Sequence, residues 1–174
     1  MKKCLIVIDY QIDFVTGALG FEKAVSLDEK IAEKIQSYRK NGDEIIFTYD
    51  THNDDYLSTQ EGKNLPISHC IKGTEGHGLF GKTATLKKDE DKCFYKPTFG
   101  SAELFDYLRE QKYESMELCG IVSNICVISN AVLVKTAQPE TEIIVDTNCI
   151  ASNDDNLNNS AIDVMKSIQI KVIE

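Results

Sequence analysis

The chain has 174 residues, of which 42% are hydrophobic and 27% are charged, a composition typical of globular proteins and unlike that of disordered or fibrous ones. Its formal net charge of -9, with no basic stripe to offset it, would repel nucleic-acid phosphates and anionic lipids, so neither nucleic acid nor a membrane is expected as a partner. A chain of this length closes one core, which predicts a single domain over residues 1–174.

Two further patterns bear on the location of the protein. The apolar run at residues 4–8 is far too short to cross a bilayer, and no secretory leader with a small-residue cleavage site follows Met1. Six cysteines are scattered without a C-x-x-C pair, which favours reduced thiols that mostly belong to the core. We therefore expect a cytoplasmic protein.

The first predicted element is a buried β-strand at residues 3–9. Residues 4–8 read Cys-Leu-Ile-Val-Ile without polar alternation, and the run ends in the carboxylate of Asp9. Four further β-rich segments follow, and a shorter one closes the chain. The six predicted strands are residues 3–9, 44–50, 93–96, 116–122, 142–146 and 169–173.

The first long helix is predicted at residues 27–40, between the first two strands. Apolar residues at helical spacing support it, namely Leu27, Ile31, Ile35 and Tyr38. Ser26 and Glu29 match a capping box at its start, and Gly42 matches a stop signal after its end. Further helices are predicted at residues 101–110, 124–136 and 155–168.

Strands that alternate with helices predict a parallel sheet covered on both faces, which is a three-layer α/β/α arrangement of the Rossmann-like kind. The segment at residues 51–92 departs from this pattern because it is polar, has little periodicity and is too long for a plain connection. It also contains all three histidines of the chain. Long segments of this kind in compact domains are often functional.

Polar residues at the carboxyl ends of the strands matter most, because parallel α/β sheets bind ligands there. Three predicted strands end in Asp9, Asp50 and Lys96, and residues 120–126 turn from the fourth strand into a helix at Cys126. A thiol at a helix start is acidified by the unpaired N–H groups, and a nearby ammonium acidifies it further. Position alone leaves the alternatives open: Cys126 could be a buried core thiol, Asp9 a loop cap and Lys96 a solvated lysine.

Three segments together resemble the signatures of the isochorismatase-like cysteine hydrolases, the superfamily that contains the nicotinamidases. They are Asp9-Tyr-Gln-Ile-Asp13-Phe14, the later Lys96, and the run from Cys119 to Val127 that reads Cys-Gly-Ile-Val-Ser-Asn-Ile-Cys-Val. They occur in order, with fitting spacing, over nearly the whole chain. The resemblance implies the isochorismatase-like α/β/α fold around a parallel sheet, with Asp9, Lys96 and Cys126 as a catalytic triad.

The mechanism implied by this resemblance is attack of the Cys126 thiol on an amide carbonyl. Asp9 would accept the thiol proton and return it to departing ammonia, while Lys96 would keep that carboxylate ionised and favour the thiolate. In the family, backbone N–H groups at the positions of Val122 and Cys126 form the oxyanion hole. A cis peptide bond is expected between Ile121 and Val122.

A second group of residues suits a metal ion. Asp50, His52 and His69 supply one carboxylate and two imidazoles, a set that fits zinc, manganese or iron, although spacing alone leaves solvated histidines as the alternative. Because these three match the metal ligands of nicotinamidases, the resemblance implies a divalent metal, zinc first, that holds a substrate ring nitrogen and polarises water. Glu61 is a weaker candidate ligand, with an ordinary loop carboxylate as the alternative. His77 is expected at the surface.

The substrate contacts depart from the nicotinamidase pattern in one respect. Nicotinamidases usually carry a Trp shortly before the third ligand, whereas this chain has none and reads Leu65-Pro-Ile-Ser-His69. Phe14 and Leu65 are therefore the predicted contacts of the substrate ring.

Residues 76–83 read Gly-His-Gly-Leu-Phe-Gly-Lys-Thr and formally match the phosphate-binding loop G-x-x-x-x-G-K-T. Such a loop must join a buried strand to a helix, and no clear strand precedes this one. We do not expect it to bind phosphate.

The sequence therefore predicts a cysteine-dependent amidohydrolase that converts a small carboxamide, nicotinamide first, to the acid and ammonia through a thioester. One alternative is a hydrolase of the same fold acting on an N-carbamoyl, ureido or other small amide, and another is a non-catalytic binding protein. Vinyl-ether cleavage of the isochorismatase type is less favoured, since those relatives lack the cysteine nucleophile. The resemblance also implies a homo-oligomer, either a dimer or a tetramer.

Overall fold

The computed structural model describes residues 1–174 and is built around one six-stranded sheet. Every strand pairing is parallel, and the spatial order is β3-β2-β1-β4-β5-β6. The strands are β1 (Cys4–Ile8), β2 (Glu44–Asp50), β3 (Lys92–Lys96), β4 (Ser115–Ile121), β5 (Glu142–Ala151) and β6 (Lys171–Ile173). The parallel sheet with helices on both faces confirms the predicted α/β/α fold.

Eight helices pack around the sheet or connect its strands. They are α1 (Ile12–Val15), α2 (Glu22–Val25), α3 (Asp28–Lys40), α4 (Gln60–Asn64), α5 (Gly81–Leu86), α6 (Ala102–Arg109), α7 (Ile128–Ala137) and α8 (Asp155–Ser167). None of these helices is long and apolar enough to cross a membrane. Two 3₁₀ turns (Tyr56–Ser58 and Glu75–His77) and one π-helical turn (Ser123–Val127) complete the secondary structure.

The sheet separates two apolar cores, and β1 supplies side chains to both. Cys4, Ile6 and Ile8 face one core, while Leu5 and Val7 face the other. All five are fully buried, which explains why this strand reads as a continuous apolar run. The first core also contains residues from α6, α7 and α8 (Leu104, Leu108, Ala131, Val134, Ala161, Met165), and the second contains residues from α1, α2 and α3 (Phe14, Val15, Ala24, Ile31, Ile35).

The strand order reverses at the centre of the sheet, and this reversal locates the site. From β1 the chain proceeds outward to β2 and β3 on one side, and then returns to continue with β4 on the other side of β1. The loops that follow β1 and β4 therefore diverge to opposite faces and leave a crevice at their carboxyl ends. Asp9 follows β1 at this crevice, and Cys126 lies just after β4.

The predicted capping box at Ser26 and Glu29 is wrong. The helix α3 begins at Asp28, its N-cap is Leu27, and no side chain caps it. The Ser26 hydroxyl instead donates to the Lys23 carbonyl in the preceding turn. Glu29 pairs with Lys82 on α5. Glu29 therefore pairs with a residue on another helix instead of capping the start of α3.

The end of β5 and the start of α7 differ most from prediction. The strand β5 was expected to stop at residue 146 but continues to Ala151, because a bulge lies between the residues paired with Leu118 and Gly120. Leu118 pairs with Val145, and Gly120 pairs with Ile150, so several polar residues of β5 have no direct partner on β4. The helix expected from residue 124 begins as a π-helical turn, and α7 starts at Ile128.

The segment at residues 51–92 contains short helices rather than one irregular loop. Its match to a phosphate-binding loop is spurious because Gly81 follows Phe80, an extended residue outside any strand, and opens the six-residue helix α5. The backbone N–H groups of Lys82 and Thr83 donate to the Asp28 carboxylate at 2.9 and 3.3 Å. A carboxylate from α3 therefore lies where a phosphate would have to bind.

Candidate active site and metal centre

Asp9 lies directly after β1, with an unusual backbone and no exposed surface. Its φ angle is 46°, in the left-handed region that residues other than glycine seldom adopt. The neighbouring strand accommodates it, since its N–H donates to the Thr48 carbonyl at 3.2 Å and the Thr48 hydroxyl donates to Asp9 Oδ1 at 2.6 Å. Asp9 and Thr48 are both 0% exposed, so this carboxylate is held entirely by protein groups.

Lys96, the last residue of β3, has a fully enclosed ammonium group. Its Nζ lies 2.6 Å from Asp9 Oδ2 and 3.4 Å from Asp50 Oδ1. It also donates to the Thr98 carbonyl at 3.0 Å and lies 3.6 Å from Cys126 Sγ. A lysine that is 1% exposed needs such partners, because an unpaired buried charge is strongly unfavourable.

Cys126 lies in the π-helical turn that follows β4, and it completes the predicted triad in space. The structure therefore brings Asp9, Lys96 and Cys126 together from three different strand ends. The carbonyl of Cys126 accepts a 2.8 Å bond from the Asn130 side chain, which fixes the turn on α7. The peptide bond between Ile121 and Val122 is cis, as predicted, and Val122 lines the same cavity as Cys126.

The titration behaviour of the thiol differs from the expectation. Burial raises the pKa of Cys126 well above its usual value, and the charge of Asp9 adds to the rise that Lys96 opposes. The expectation rested on the helix start and the ammonium, whereas burial of the Cys126 side chain penalises the thiolate. Cys126 therefore rests as a thiol, and its proton needs an acceptor.

Asp9 is suited to accept that proton. Burial raises its pKa above the usual aspartate value, while the Lys96 ammonium and the Thr48 hydroxyl act to lower it. For Lys96, burial acts to lower the pKa, but the negative charges of Asp9 and Asp50 and the hydrogen bond to Asp9 raise it. Lys96 thus stays charged. Its charge keeps the Asp9 carboxylate ionised, although burial makes this carboxylate more basic.

The four predicted metal ligands also converge. Asp50 Oδ2 lies 3.0 Å from His52 Nε2 and 3.3 Å from His69 Nε2. Glu61 Oε1 lies 3.7 and 4.0 Å from the same two nitrogens. All four ligand atoms fall within 4.8 Å of one another, and only Glu61 is not fully buried. Four such N and O atoms around one point form a set that suits zinc.

The surroundings of these ligands fit a metal as well. His69 Nδ1 bonds to the Ile67 carbonyl at 2.8 Å, which places the proton on Nδ1 and leaves Nε2 free to bind a cation. Burial alone would raise the pKa of Asp50, but the bonds from His52 and His69 outweigh burial and lower it, so this carboxylate stays ionised. The Asp50 carboxylate therefore has the charge that a divalent metal requires of a ligand.

A cavity of about 210 Å³ joins the thiol to this cluster. Cys126, Asp50, Glu61 and His69 all contribute to its wall, together with the predicted ring contacts Phe14 and Leu65. The remaining lining residues are mostly apolar, and they are Leu19, Phe21, Phe99, Val122, Ile125 and Asn153. No lysine or arginine lines the cavity, so it suits an uncharged molecule with an apolar body.

Comparisons with known proteins show the family. The sequence model of the isochorismatase domain matches residues 3–174. The chain belongs to the isochorismatase family. Among its relatives, the uncharacterized isochorismatase family protein PncA of Bacillus subtilis (strain 168) is 34% identical over 143 residues, which covers 76% of this chain and 78% of that protein.

Solved structures of the same superfamily superpose closely on this family member. The crystal structure of nicotinamidase/pyrazinamidase PncA from Bacillus subtilis matches with a TM-score of 0.89 at 30% identity and covers 100% of both chains. Pyrazinamidase of Pyrococcus horikoshii in complex with zinc matches with a TM-score of 0.87 at 23% identity, covering 100% of this chain and 99% of that one. The second likeness shows the shared fold.

Several supporting residues of this isochorismatase family member were not predicted from sequence. Thr48 contacts Asp9, and Asn130 binds the carbonyls of Cys126 and Phe99. Within the first signature, the Asp13 carboxylate accepts the N–H of Cys70, the residue after His69, at 2.7 Å, and Gln11 binds the backbone of Asp50. Gln11 and Asp13 belong to the Asp-x-Gln-x-Asp signature, but the signature did not reveal which groups they bind. No sequence signal pointed to Thr48.

The expectation for His77 needs correction. It was assigned to the surface, but its ring is half buried and stacks on Tyr95 with centroids 6.0 Å apart. Its Nε2 bonds to the Thr51 hydroxyl at 2.8 Å, and it does not belong to the metal cluster.

Proposed function

We propose that this chain is a hydrolase of linear amides and that Cys126 is its nucleophile. The observation that carries the proposal is the position of the Lys96 ammonium, 2.6 Å from an Asp9 oxygen and 3.6 Å from Cys126 Sγ, beside an apolar cavity. An acceptor, a cation and a thiol in contact form the arrangement that nucleophilic catalysis by cysteine needs.

The first half of the reaction forms a thioester. As Cys126 Sγ attacks the carbonyl carbon, the thiol proton passes to Asp9, and the carbonyl π electrons move onto oxygen. Backbone N–H groups of Val122 and Cys126 hold that oxyanion, and losing one such donor typically costs about 2.7 to 4 kcal/mol. Asp9 then gives the proton to the amide nitrogen, the C–N bond breaks, and ammonia leaves.

The second half restores the thiol. Water attacks the thioester carbon and passes a proton to Asp9, the C–S bond breaks, and the acid product forms. The sulfur recovers its proton from Asp9, so the enzyme returns to its starting state. Through both halves Lys96 remains protonated, because its neighbours raise its pKa, and it offsets the charge that moves between carboxylate and sulfur.

Asp50, His52, His69 and Glu61 would hold a divalent metal, for which zinc is the first candidate and manganese or iron are alternatives. When bound, such an ion supplies a Lewis acid that anchors a ring nitrogen and polarises water. Since Asp50 and His69 line the same cavity as Cys126, a ring held there would present its substituent toward the sulfur.

Nicotinamide is the proposed substrate, with nicotinate and ammonia as products. The relative of 30% identity named above is a nicotinamidase/pyrazinamidase. The cavity is apolar, and Phe14 and Leu65 lie on its wall as ring contacts. The alternative, an N-carbamoyl or ureido acid, carries a carboxylate for which the cavity wall offers no lysine or arginine.

The test measures ammonia release from nicotinamide, pyrazinamide and an N-carbamoyl amino acid by the wild-type chain and by Cys126→Ala. We expect turnover of the two ring amides, at least tenfold slower release from the anionic substrate, and no turnover by the variant. Mass spectrometry of acid-quenched wild-type enzyme should show the acyl adduct on Cys126.

Cys4→Ala is the matched control, since Cys4 is an equally buried thiol on β1. It should keep wild-type turnover. Ammonia release that survives in Cys126→Ala would refute the nucleophile, and faster release from the N-carbamoyl compound would refute the substrate.

The cellular location, the oligomeric state and the domain count of the protein remain predictions. Six free cysteines suit a reducing compartment such as the cytoplasm. A homo-oligomer, either dimer or tetramer, and a single domain over residues 1–174 are also predictions.

A further inference from the structure

Gln11 is completely buried beside the metal cluster, and the mechanism above does not use it. Its side chain makes three hydrogen bonds, all to backbone groups. Gln11 Oε1 accepts the N–H of Asp50 at 2.8 Å, and Gln11 Nε2 donates to the carbonyl of Asp50 at 3.0 Å and to that of His77 at 2.9 Å. Both backbone polar groups of one metal ligand are therefore held by a single amide.

The need for this amide follows from the path of β1. Residue pairing between β1 and β2 ends at Ile8 and Thr48, because the chain turns away at Asp9 with its positive φ. On its other side, β2 pairs with β3 as far as Asp50 and Lys96. The N–H and C=O of Asp50 that face β1 would thus lack ladder partners, and buried backbone groups without partners are strongly disfavoured.

Gln11 replaces the missing strand. Its carboxamide carries one acceptor and one donor, as a peptide group does, and it meets the Asp50 backbone as a neighbouring strand would. The second donor of Nε2 extends this contact to the carbonyl of His77, so the amide also joins β2 to the 3₁₀ turn Glu75–His77. The direction of the Asp50 side chain is thereby fixed from its own backbone.

We infer that Gln11 is a positioning residue of the metal centre, acting through the backbone of Asp50. The inference rests on the metal site in the proposed function. Groups that orient metal ligands typically contribute about 10- to 100-fold to metal affinity.

The test is the zinc dissociation constant, measured by competition with a chromophoric chelator, for the wild-type chain and for Gln11→Met. Methionine has a similar length but cannot replace the three hydrogen bonds. We expect zinc affinity to fall about 10- to 100-fold. If Gln11→Met does not fold, Gln11→Asn serves instead, because its amide is one methylene too short to span the same groups, and it should also weaken zinc binding.

Gln138→Met is a matched control. The Gln138 amide has the same pattern, with Nε2 donating to the carbonyls of Leu108 and Gln111 at 2.7 and 2.8 Å and Oε1 accepting from Thr141. Its loss should lower stability and leave the zinc constant within twofold of wild type. None of these groups belongs to the metal cluster.

The outcomes separate the two claims. Wild-type zinc affinity in Gln11→Met, or an equal loss in Gln138→Met, would overturn the positioning role alone. A wild-type chain that binds no zinc would overturn both this role and the metal site, while the ammonia assay would still judge the amidase.

Discussion

Replacing Thr48 by Val removes the hydroxyl that donates to Asp9 Oδ1 at 2.6 Å and keeps the shape of the side chain. This hydrogen bond favours the ionised form of Asp9, whose pKa burial has raised. Its loss raises that pKa further. The acid limb of the kcat/KM profile should therefore move to higher pH in Thr48→Val, since less of the base is ionised at each acidic pH.

The size of the effect follows from the charge on the acceptor. A hydrogen bond to a charged group contributes about 1.5–3 kcal/mol, and each 1.36 kcal/mol corresponds to about tenfold in the ionisation equilibrium. On the acid side of the profile, kcat/KM should thus fall about 10- to 150-fold. At high pH, where Asp9 is ionised in both proteins, the two curves should converge.

The assay is the initial rate of ammonia release across a pH series, with two comparison variants. Thr48→Ser keeps the hydroxyl and should follow the wild-type profile. Thr83→Val removes another fully buried threonine hydroxyl, one that lies 3.4 Å from the Asp28 carboxylate outside the site, and should not move the acid limb. Superimposable profiles for Thr48→Val and the wild type would refute this account of Asp9.

Three further predictions concern stability and the metal. Lys34→Met leaves the carboxylates of Glu117 and Asp146 without the ammonium that lies 2.6 and 2.7 Å from them. Urea unfolding should therefore show that the free energy of unfolding falls by about 3 kcal/mol. A fall below about 1 kcal/mol would contradict this prediction. Burial acts to raise the pKa of Asp146, but the hydrogen bonds from Lys34 and Asn148 and the charge of Lys34 together lower it below the unfolded value. The ionised Asp146 therefore stabilises the fold above its unfolded pKa, and this stabilisation is lost as the pH falls through its folded pKa. In Asp146→Asn the free energy of unfolding should depend less on pH in the acid range. Dialysis against a chelator should lower turnover at least tenfold, with recovery on adding zinc; full activity without metal would contradict the assigned ligands.

The sequence was informative wherever a strand end carried a reactive side chain. Asp9, Lys96 and Cys126 lie far apart in the chain, yet parallel strands bring their carboxyl ends to one edge, so a strand prediction was enough to group them. The ligands His52 and His69 were grouped by resemblance, and the structure places them with Asp50.

The supporting contacts could not be predicted because they join residues of distant segments. Thr48 reaches Asp9 across 39 positions, and Gln11 reaches His77 across 66, with no periodic pattern to mark either pair. The failed capping box has a related cause, since the Glu29 carboxylate pairs with Lys82, a residue of a distant segment. The rise in the Cys126 pKa depends on burial of the thiol by segments distant in the sequence, which no local pattern records.

The Asn130 amide also bears on how a substrate enters. It bonds to the carbonyls of Cys126 and Phe99, and its oxygen accepts the N–H of Ser101. Asn130 therefore links the backbone of Cys126 to the cavity wall at Phe99. A displacement of the backbone at Phe99 would also displace Cys126. Leu19 and Phe21 line the same cavity without a bond from Asn130, so that side of the wall is free of this constraint.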